Sequence, residues 1–309
     1  MSRSLAFIFP GQGSQQRGML SELAADFPVI EQTFAEASQV LGVDLWDLSQ
    51  NGPEQALNST ENTQPALLTA GVALWRLWQQ QGGAQPAVMA GHSLGEYTAL
   101  VCAGAISLAQ GVRLVRQRAE YMQQAVPAGR GAMAAILGLD DGAVATACHS
   151  AAAGGVVSPV NYNCPGQVVI AGDKAAVERA IEACKAAGAK RALTLPVSVP
   201  SHCALMRPAA TRLAEAVAAI TWQMPQIPVV QNVNAERPAD LESLKQNLIQ
   251  QLYSPVLWAA SVRKMAEDGV TTLIECGPGR VLTGLNRKID RTLAGGSIGD
   301  PAGLKKALE

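Results

Sequence analysis

The chain has 309 residues, 48% hydrophobic and 16% charged, enough to bury a large core with a smaller second unit beside it. Lys+Arg 24 against Asp+Glu 25 leaves a net charge of -1, so the overall balance points to neither nucleic acid nor an anionic membrane surface as partner. The six cysteines, Cys102, Cys148, Cys164, Cys184, Cys203 and Cys276, form no C-x-x-C pair that would suggest zinc or redox chemistry and read as reduced thiols.

The chain opens on LAFIFPGQGSQ, a continuous apolar run ending in a Gly-rich turn, as expected of a buried parallel strand feeding a loop. That run is too short for a secretory signal, and no stretch reaches the roughly 18 apolar residues of a membrane span, so a cytoplasmic location is expected. Helical patterns follow around Ala24 to Leu41 and Gln64 to Gln80, and PAVMAGHSLGEYTALVCAGA reads as strand, sharp turn and helix. The alternation argues for a parallel α/β core. From 129 to 196 the order becomes GAMAAIL strand, DDGAVATACHSAAA helix, VVSPVNY and QVVIAG strands, DKAAVERAIEACKAAG helix and RALTLPV strand. This β-α-β-β-α-β plan is ferredoxin-like and reads as an insertion into a larger domain made of 1–128 and 197–309. IPVVQNVNA and TTLIECGPGR look like further core strands, each followed by helical sequence.

Gly91-His92-Ser93-Leu94-Gly95 is a G-x-S-x-G between an apolar strand and a helix, the setting in which this motif makes a nucleophile elbow. A serine needs a base, and the chain has three histidines. The His92 ring is expected to face away from the Ser93 hydroxyl, because adjacent residues leaving a strand point apart. His149 falls near the end of a helix in the insertion and is expected in solvent. His202, in VSVPSHCALM, follows the strand returning to the core and is the candidate base. Asp140, Asp141, Asp173, Glu178 and Glu182 all fall in the insertion and RALTLPVSVPSH contains no acid, so a dyad is expected, its imidazole oriented by a carbonyl or an amide. The loop Gly11-Gln12-Gly13-Ser14-Gln15 is no dinucleotide fingerprint, since Gln16 stands where G-x-G-x-x-G needs its last glycine. It is either a structural turn or a source of one backbone N–H for an oxyanion, paired with that of Leu94.

SLAQGVRLVRQRAEYMQQA reads as a helix capped by Ser107, with an apolar face through Leu108, Val112, Val115, Ala119 and Met122 and Leu114 at its margin. Arg118 lies inside that arc, whereas Arg113 and Arg116 do not. A guanidinium among apolar neighbours needs an anion, so Arg118 should pair with a core acid or a ligand carboxylate, unless its long side chain snorkels to water.

FPGQGSQ, NTQPAL, GHSLGEYTAL, RLVRQRAEYMQ, NYNCPGQVVIAG, VSVPSHCALM, QLYSPVLW and ECGPG together resemble malonyl-CoA:acyl carrier protein transacylases over nearly the whole chain. The resemblance implies an α/β-hydrolase-like large domain, a ferredoxin-like insertion and an active-site cleft between them. It implies a malonylated Ser93, His202 as base, an oxyanion hole from the N–H groups of Gln12 and Leu94, and Arg118 gripping the malonate carboxylate. The main-chain carbonyl of Gln251, in QLYSPV, would orient the histidine. Met122, one turn beyond Arg118, and Gln64 of NTQPAL are further pocket candidates. The implied partners are malonyl-CoA and acyl carrier protein, with no cofactor and no metal. Lys185, Lys190, Arg191, Arg280, Arg287 and Lys288 are candidate contacts for an acidic carrier. A polyketide-synthesis acyltransferase, a serine thioesterase or hydrolase, and a non-catalytic carrier-docking subunit are the competing readings.

Overall fold

The computed structural model describes residues 4–127, 129–197 and 199–309. The expected boundary at Ala128, Ser198 of VSVPSH and the first three residues lie outside the described residues. Nine strands are described: β1 (Leu5–Phe9), β2 (Val88–Gly91), β3 (Gly131–Leu137), β4 (Val157–Cys164), β5 (Gln167–Asp173), β6 (Arg191–Thr194), β7 (Val229–Val230), β8 (Thr272–Glu275) and β9 (Ala294–Ser297).

The first sheet has the order β7-β2-β1-β8-β9 with every pair parallel. Strand alternation sends Phe7 and Phe9 to one face, packed with the helices Val29–Leu41, Thr60–Gln80 and Leu108–Ala125, and Ala6 and Ile8 to the other, packed with Trp258, Val262 and Leu282. Burial on both faces explains why LAFIF reads as an unbroken apolar run. The C-terminal ends of β1, β2 and β7 converge, where open parallel sheets place their ligands.

The second sheet is antiparallel, in the order β4-β5-β3-β6, with the helices Asp141–Ala151 and Lys174–Ala186 sharing a core with Ile136, Val168 and Ile170. Its opposite face carries Met133, Val160, Val169 and Ala171, packed with Cys203 of the returning chain. A bridge from Asn161 to Val256 joins the two parts of the molecule.

Several expectations need correction. The helical segment of residues 24–41 is two helices, Ser21–Asp26 and Val29–Leu41, because Pro28 cannot continue the first and starts the second. The Gln64 helix begins earlier, at Thr60. IPVVQNVNA holds only the two-residue β7, after which Gln231 and Asn232 leave the ladder to make side-chain bonds elsewhere. RALTLPV is strand only to Thr194; Leu195 to Val197 line a cleft. Elements without a counterpart in the expectations include the short helices Leu45–Gln50 and Glu54–Leu57, the strand β9, whose Ala-Gly-Gly-Ser has no apolar pattern, and the final helix Pro301–Leu308.

Candidate active site

Ser93 sits between β2 and the helix Leu94–Cys102 with φ 53 and ψ -109, a conformation that a non-glycine residue holds only when its surroundings enforce it. The surroundings do. A Cβ on Gly91 would overlap the main chain of Gly95, and one on Gly95 would overlap the Phe9 carbonyl, so only glycines let strand, turn and helix approach this closely. Asn232 clamps the turn from β7: its Oδ1 accepts from the Ser93 N–H at 2.7 Å and its Nδ2 donates to the Gly91 carbonyl at 2.6 Å.

His202 Nε2 lies 2.8 Å from Ser93 Oγ, and its Nδ1 lies 2.7 Å from the Gln251 carbonyl oxygen. A carbonyl can only accept, so Nδ1 carries the proton and Nε2 offers its lone pair to the serine hydroxyl. Burial, then the positive charge of Arg118, pushes the imidazole down to about 3, which keeps it neutral across the physiological range. His202 also holds a positive φ of 65 and donates its N–H to the Leu252 carbonyl, so the ring is presented by a tightly constrained turn.

The other histidines lie elsewhere. His92 bonds Asn163 of β4 at 2.8 Å, so its ring is engaged away from Oγ although it still lines the cleft. His149 is exposed on its helix.

Arg118 is 1% exposed. The helix Leu108–Ala125 carries it as the spacing predicts: Leu108, Val112, Leu114, Val115, Ala119 and Met122 are all buried, and Ser107 with Gln110 forms a capping box at the start. Arg116 bridges Glu120 at the surface. Of the alternatives for Arg118, a core acid and an escape to water both fail, since among the described residues no carboxylate lies within ion-pair distance. Its Nη1 donates to Gln64 Oε1 at 2.7 Å, and its Nη2 to Ser93 Oγ at 3.2 Å and Gln251 Oε1 at 3.1 Å, all neutral acceptors. Its Nε is buried with no partner among the described residues. Gln64 in turn donates to the Met122 sulfur at 3.8 Å, so both pocket candidates touch the arginine's surroundings.

These groups open into a cleft of about 500 Å³. Gln12, Ser93, Leu94, Arg118, Met122 and His202 line one side, and Met133 and Asn161 of the antiparallel sheet line the other. Gln12 uses its side chain on Thr60, while the backbone N–H groups of Gln12 and Leu94 meet no acceptor among the described residues. Among the described residues no cluster of three or more His, Cys, Asp or Glu could hold a metal ion. A strained serine paired with a neutral imidazole, beside two free N–H groups and a buried cation, is equipped to attack a carbonyl whose substituent is anionic.

Residues 6–296 match the acyl transferase domain model. The chain is 61% identical over 303 residues to the malonyl CoA-acyl carrier protein transacylase of Salmonella typhimurium, covering 98% of each, and 61% identical over 304 residues to that of Escherichia coli strain K12, again covering 98% of each. The chain belongs to the malonyl CoA-acyl carrier protein transacylase family. A malonyl-transacylase of this family, solved with its type II PKS acyl-carrier protein, superposes with a TM-score of 0.98 at 58% identity, covering 99% of both chains. An acyl carrier protein S-malonyltransferase from Vibrio cholerae gives 0.96 at 60% identity over 98% of this chain and 99% of the other.

Two parts of this candidate site were absent from the sequence reading. Asn232 carries no motif signal, because its role depends on β7 lying beside β2. Glu96, three residues after the serine in GHSLGE, is fully buried beneath the elbow, and only its apolar helix context, LGEYTAL, hints at that.

Proposed function

We propose that the chain transfers the malonyl group of malonyl-CoA to the phosphopantetheine thiol of acyl carrier protein through a malonyl-Ser93 ester. The observation that carries this reading is the placement of one hydroxyl, Ser93 Oγ, 2.8 Å from His202 Nε2 and 3.2 Å from Arg118 Nη2.

Ser93 Oγ attacks the thioester carbonyl carbon as His202 Nε2 takes its proton, while the N–H groups of Gln12 and Leu94 receive the oxyanion. Collapse breaks the carbon–sulfur bond, and the departing CoA sulfur takes the proton back from Nε2. In the second half the carrier thiol gives its proton to Nε2 and attacks the ester carbonyl. Collapse then returns the Ser93 oxygen, which recovers that proton. The Gln251 carbonyl holds Nδ1–H and stabilises the imidazolium formed in each half, taking the place of the acid of a triad.

Arg118 selects the acyl group. Its unpaired Nε and its Nη2 lie on one edge of the guanidinium and suit a side-on bidentate carboxylate, whereas an acetyl group would leave the buried charge without an anion. Gln64 holds the opposite amino group, and Met122 packs against Gln64.

We read the molecule as an α/β-hydrolase-like domain, 1–128 and 197–309, with a ferredoxin-like insertion, 129–196. The parallel sheet bearing the serine elbow and the antiparallel β4-β5-β3-β6 order with two helices on one face support this division. The six free thiols suit a reducing compartment, the cytoplasm, where the transfer supplies fatty acid synthesis. For the acidic carrier, Lys185, Lys190 and Arg191 at one end of the insertion and Arg280, Arg287 and Lys288 on the large part are all exposed. Lys185 and Arg280 pair with Glu182 and Asp300, whereas Lys190, Arg191, Arg287 and Lys288 form no ion pair among the described residues and are the stronger contacts.

The deciding experiment is intact-protein mass spectrometry after brief mixing with malonyl-CoA, then with carrier protein. A malonyl adduct on Ser93 that is discharged by the carrier thiol and only slowly by water is the expected result. Rapid loss to water would make the protein a hydrolase, and no adduct would reject the serine mechanism.

A further inference from the structure

Beneath the elbow, a single carboxylate collects the groups that hold the reacting residues. Glu96 is 0% exposed. Its Oε2 accepts from the Asn232 main-chain N–H at 2.9 Å and from Gln251 Nε2 at 3.0 Å, and its Oε1 accepts from Gln231 Nε2 at 3.1 Å. Each of those partners has a second attachment. Asn232 clamps both ends of the elbow through Ser93 and Gly91. Gln251 Nε2 also donates to the Ser93 carbonyl at 3.0 Å, its Oε1 receives Arg118 Nη2, and its main-chain carbonyl receives His202 Nδ1. Gln231 is tied to the Leu244 carbonyl and to Asn247.

The direction of these bonds matters. An ionised carboxylate only accepts, so it compels Gln251 to turn its NH2 inward and therefore its oxygen toward Arg118. With the amide reversed, an NH2 would face the arginine, donor against donor, and an oxygen would face the Ser93 carbonyl. A glutamine at 96 presents an NH2 of its own to a set of three donors and removes the compulsion.

We propose that the Glu96 carboxylate is a positioning residue for acyl transfer, holding the Asn232 main chain and fixing which way the Gln251 amide faces, and through them the Ser93 elbow, the His202 ring and the Arg118 guanidinium. This rests on the acyl-transfer reading above and extends it to a residue that touches no substrate.

Burial raises the Glu96 carboxyl to about 7 despite its three donors and the attraction of Arg118. The charged and titratable groups that act on it are Arg118 and Tyr97, while His92 and His202 flank Ser93 on the cleft side of the same elbow. Burial pushes Tyr97 up to about 12 and His202 down to about 3, and it also holds His92 below its ordinary 6.5, so all three stay neutral near neutrality. Of the ionised forms, only that of Glu96 makes the arrangement described.

The test is the single-turnover rate of Ser93 acylation by malonyl-CoA, read by intact mass from about pH 5 to about pH 9, where no carrier thiol takes part. In the unaltered protein the rate should climb through a limb near 7 as Glu96 ionises. Glu96→Gln should be slower by on the order of 10- to 100-fold and should lack that limb. Gln231→Met, which leaves Glu96 in place and removes one donor from Oε1, should move the limb to higher pH, because the ionised form has lost support. A limb unmoved in Gln231→Met, or a Glu96→Gln protein with the unaltered rate and limb, overturns the proposal. Should Glu96→Gln fail to fold, the Gln231→Met limb decides alone, since a purely structural carboxylate would change yield without shifting it. Absence of any acylation in the unaltered protein would instead strike the acyl-transfer reading itself.

Discussion

The two sheets divide the work. The parallel sheet ends its strands at one edge, and Ser93 on the β2 turn, the Gly11–Gly13 loop after β1 and Asn232 after β7 all arise there, so these groups are held by main chain buried on both faces. The antiparallel sheet gives the cleft no part of the Ser93–His202–Arg118 constellation; it offers a wall, with Met133 and Asn161 toward the cleft and a self-contained helical core behind. Chemistry that needs sub-ångström placement resides where backbone is most constrained, and the facing wall is free to shape what enters.

Substitutions on the two sides should therefore fail differently. Ser93→Ala should lower transfer by about 10⁴-fold or more with little change in melting temperature, checked by carrier-loading assay and calorimetry. Unfolding of this variant would mean the elbow's bonds are not what hold it. Arg118→Ala should weaken the malonyl transition state by about 3–5 kcal/mol relative to acetyl, measured as the change in kcat/KM ratio for the two acyl-CoAs. Equal losses for both would remove the clamp.

Across the cleft the loss should move from activity to stability. Ile170→Val in the antiparallel core should cost about 0.5–1.5 kcal/mol in denaturant unfolding and leave kcat per folded molecule unchanged. A fall in kcat would show that the wall helps place the reacting groups. The subtlest expected effect is on the pH dependence of stability. His202 is held below its ordinary 6.5, at about 3, so its contribution is fully present above 6.5 and declines as pH falls toward 3. His202→Gln should make acid destabilisation across that window shallower, as followed by thermal melts.

Legibility in the sequence tracks how local each signal is. The elbow is readable because G-x-S-x-G stands between an apolar run and a helix, and Arg118 because 100° periodicity alone sets it among Val115, Ala119 and Met122. The break at Pro28 is equally local, and the longer apolar pattern masked it. The two-residue β7 is not readable: Val229 and Val230 look like the start of a longer strand, and only the demands of Ser93 and Glu96 pull Gln231 and Asn232 out of register. The Ala-Gly-Gly-Ser of β9 has no side-chain pattern, so its strand state comes from pairing with β8 alone.

By itself the order of residues determined the tight turn that carries Ser93, the face on which the arginine lies, and the β-α-β-β-α-β stretch, because steric and hydrophobic periodicities act over a few neighbours. Tertiary structure decided that a carbonyl at Gln251 bonds His202, that among the described residues Arg118 meets only neutral acceptors, and that Glu96 gathers Asn232, Gln231 and Gln251. Those bonds join residues some 50 to 160 positions apart, and a hydrogen bond's direction and partner exist only once folding has brought donor and acceptor within about 3 Å.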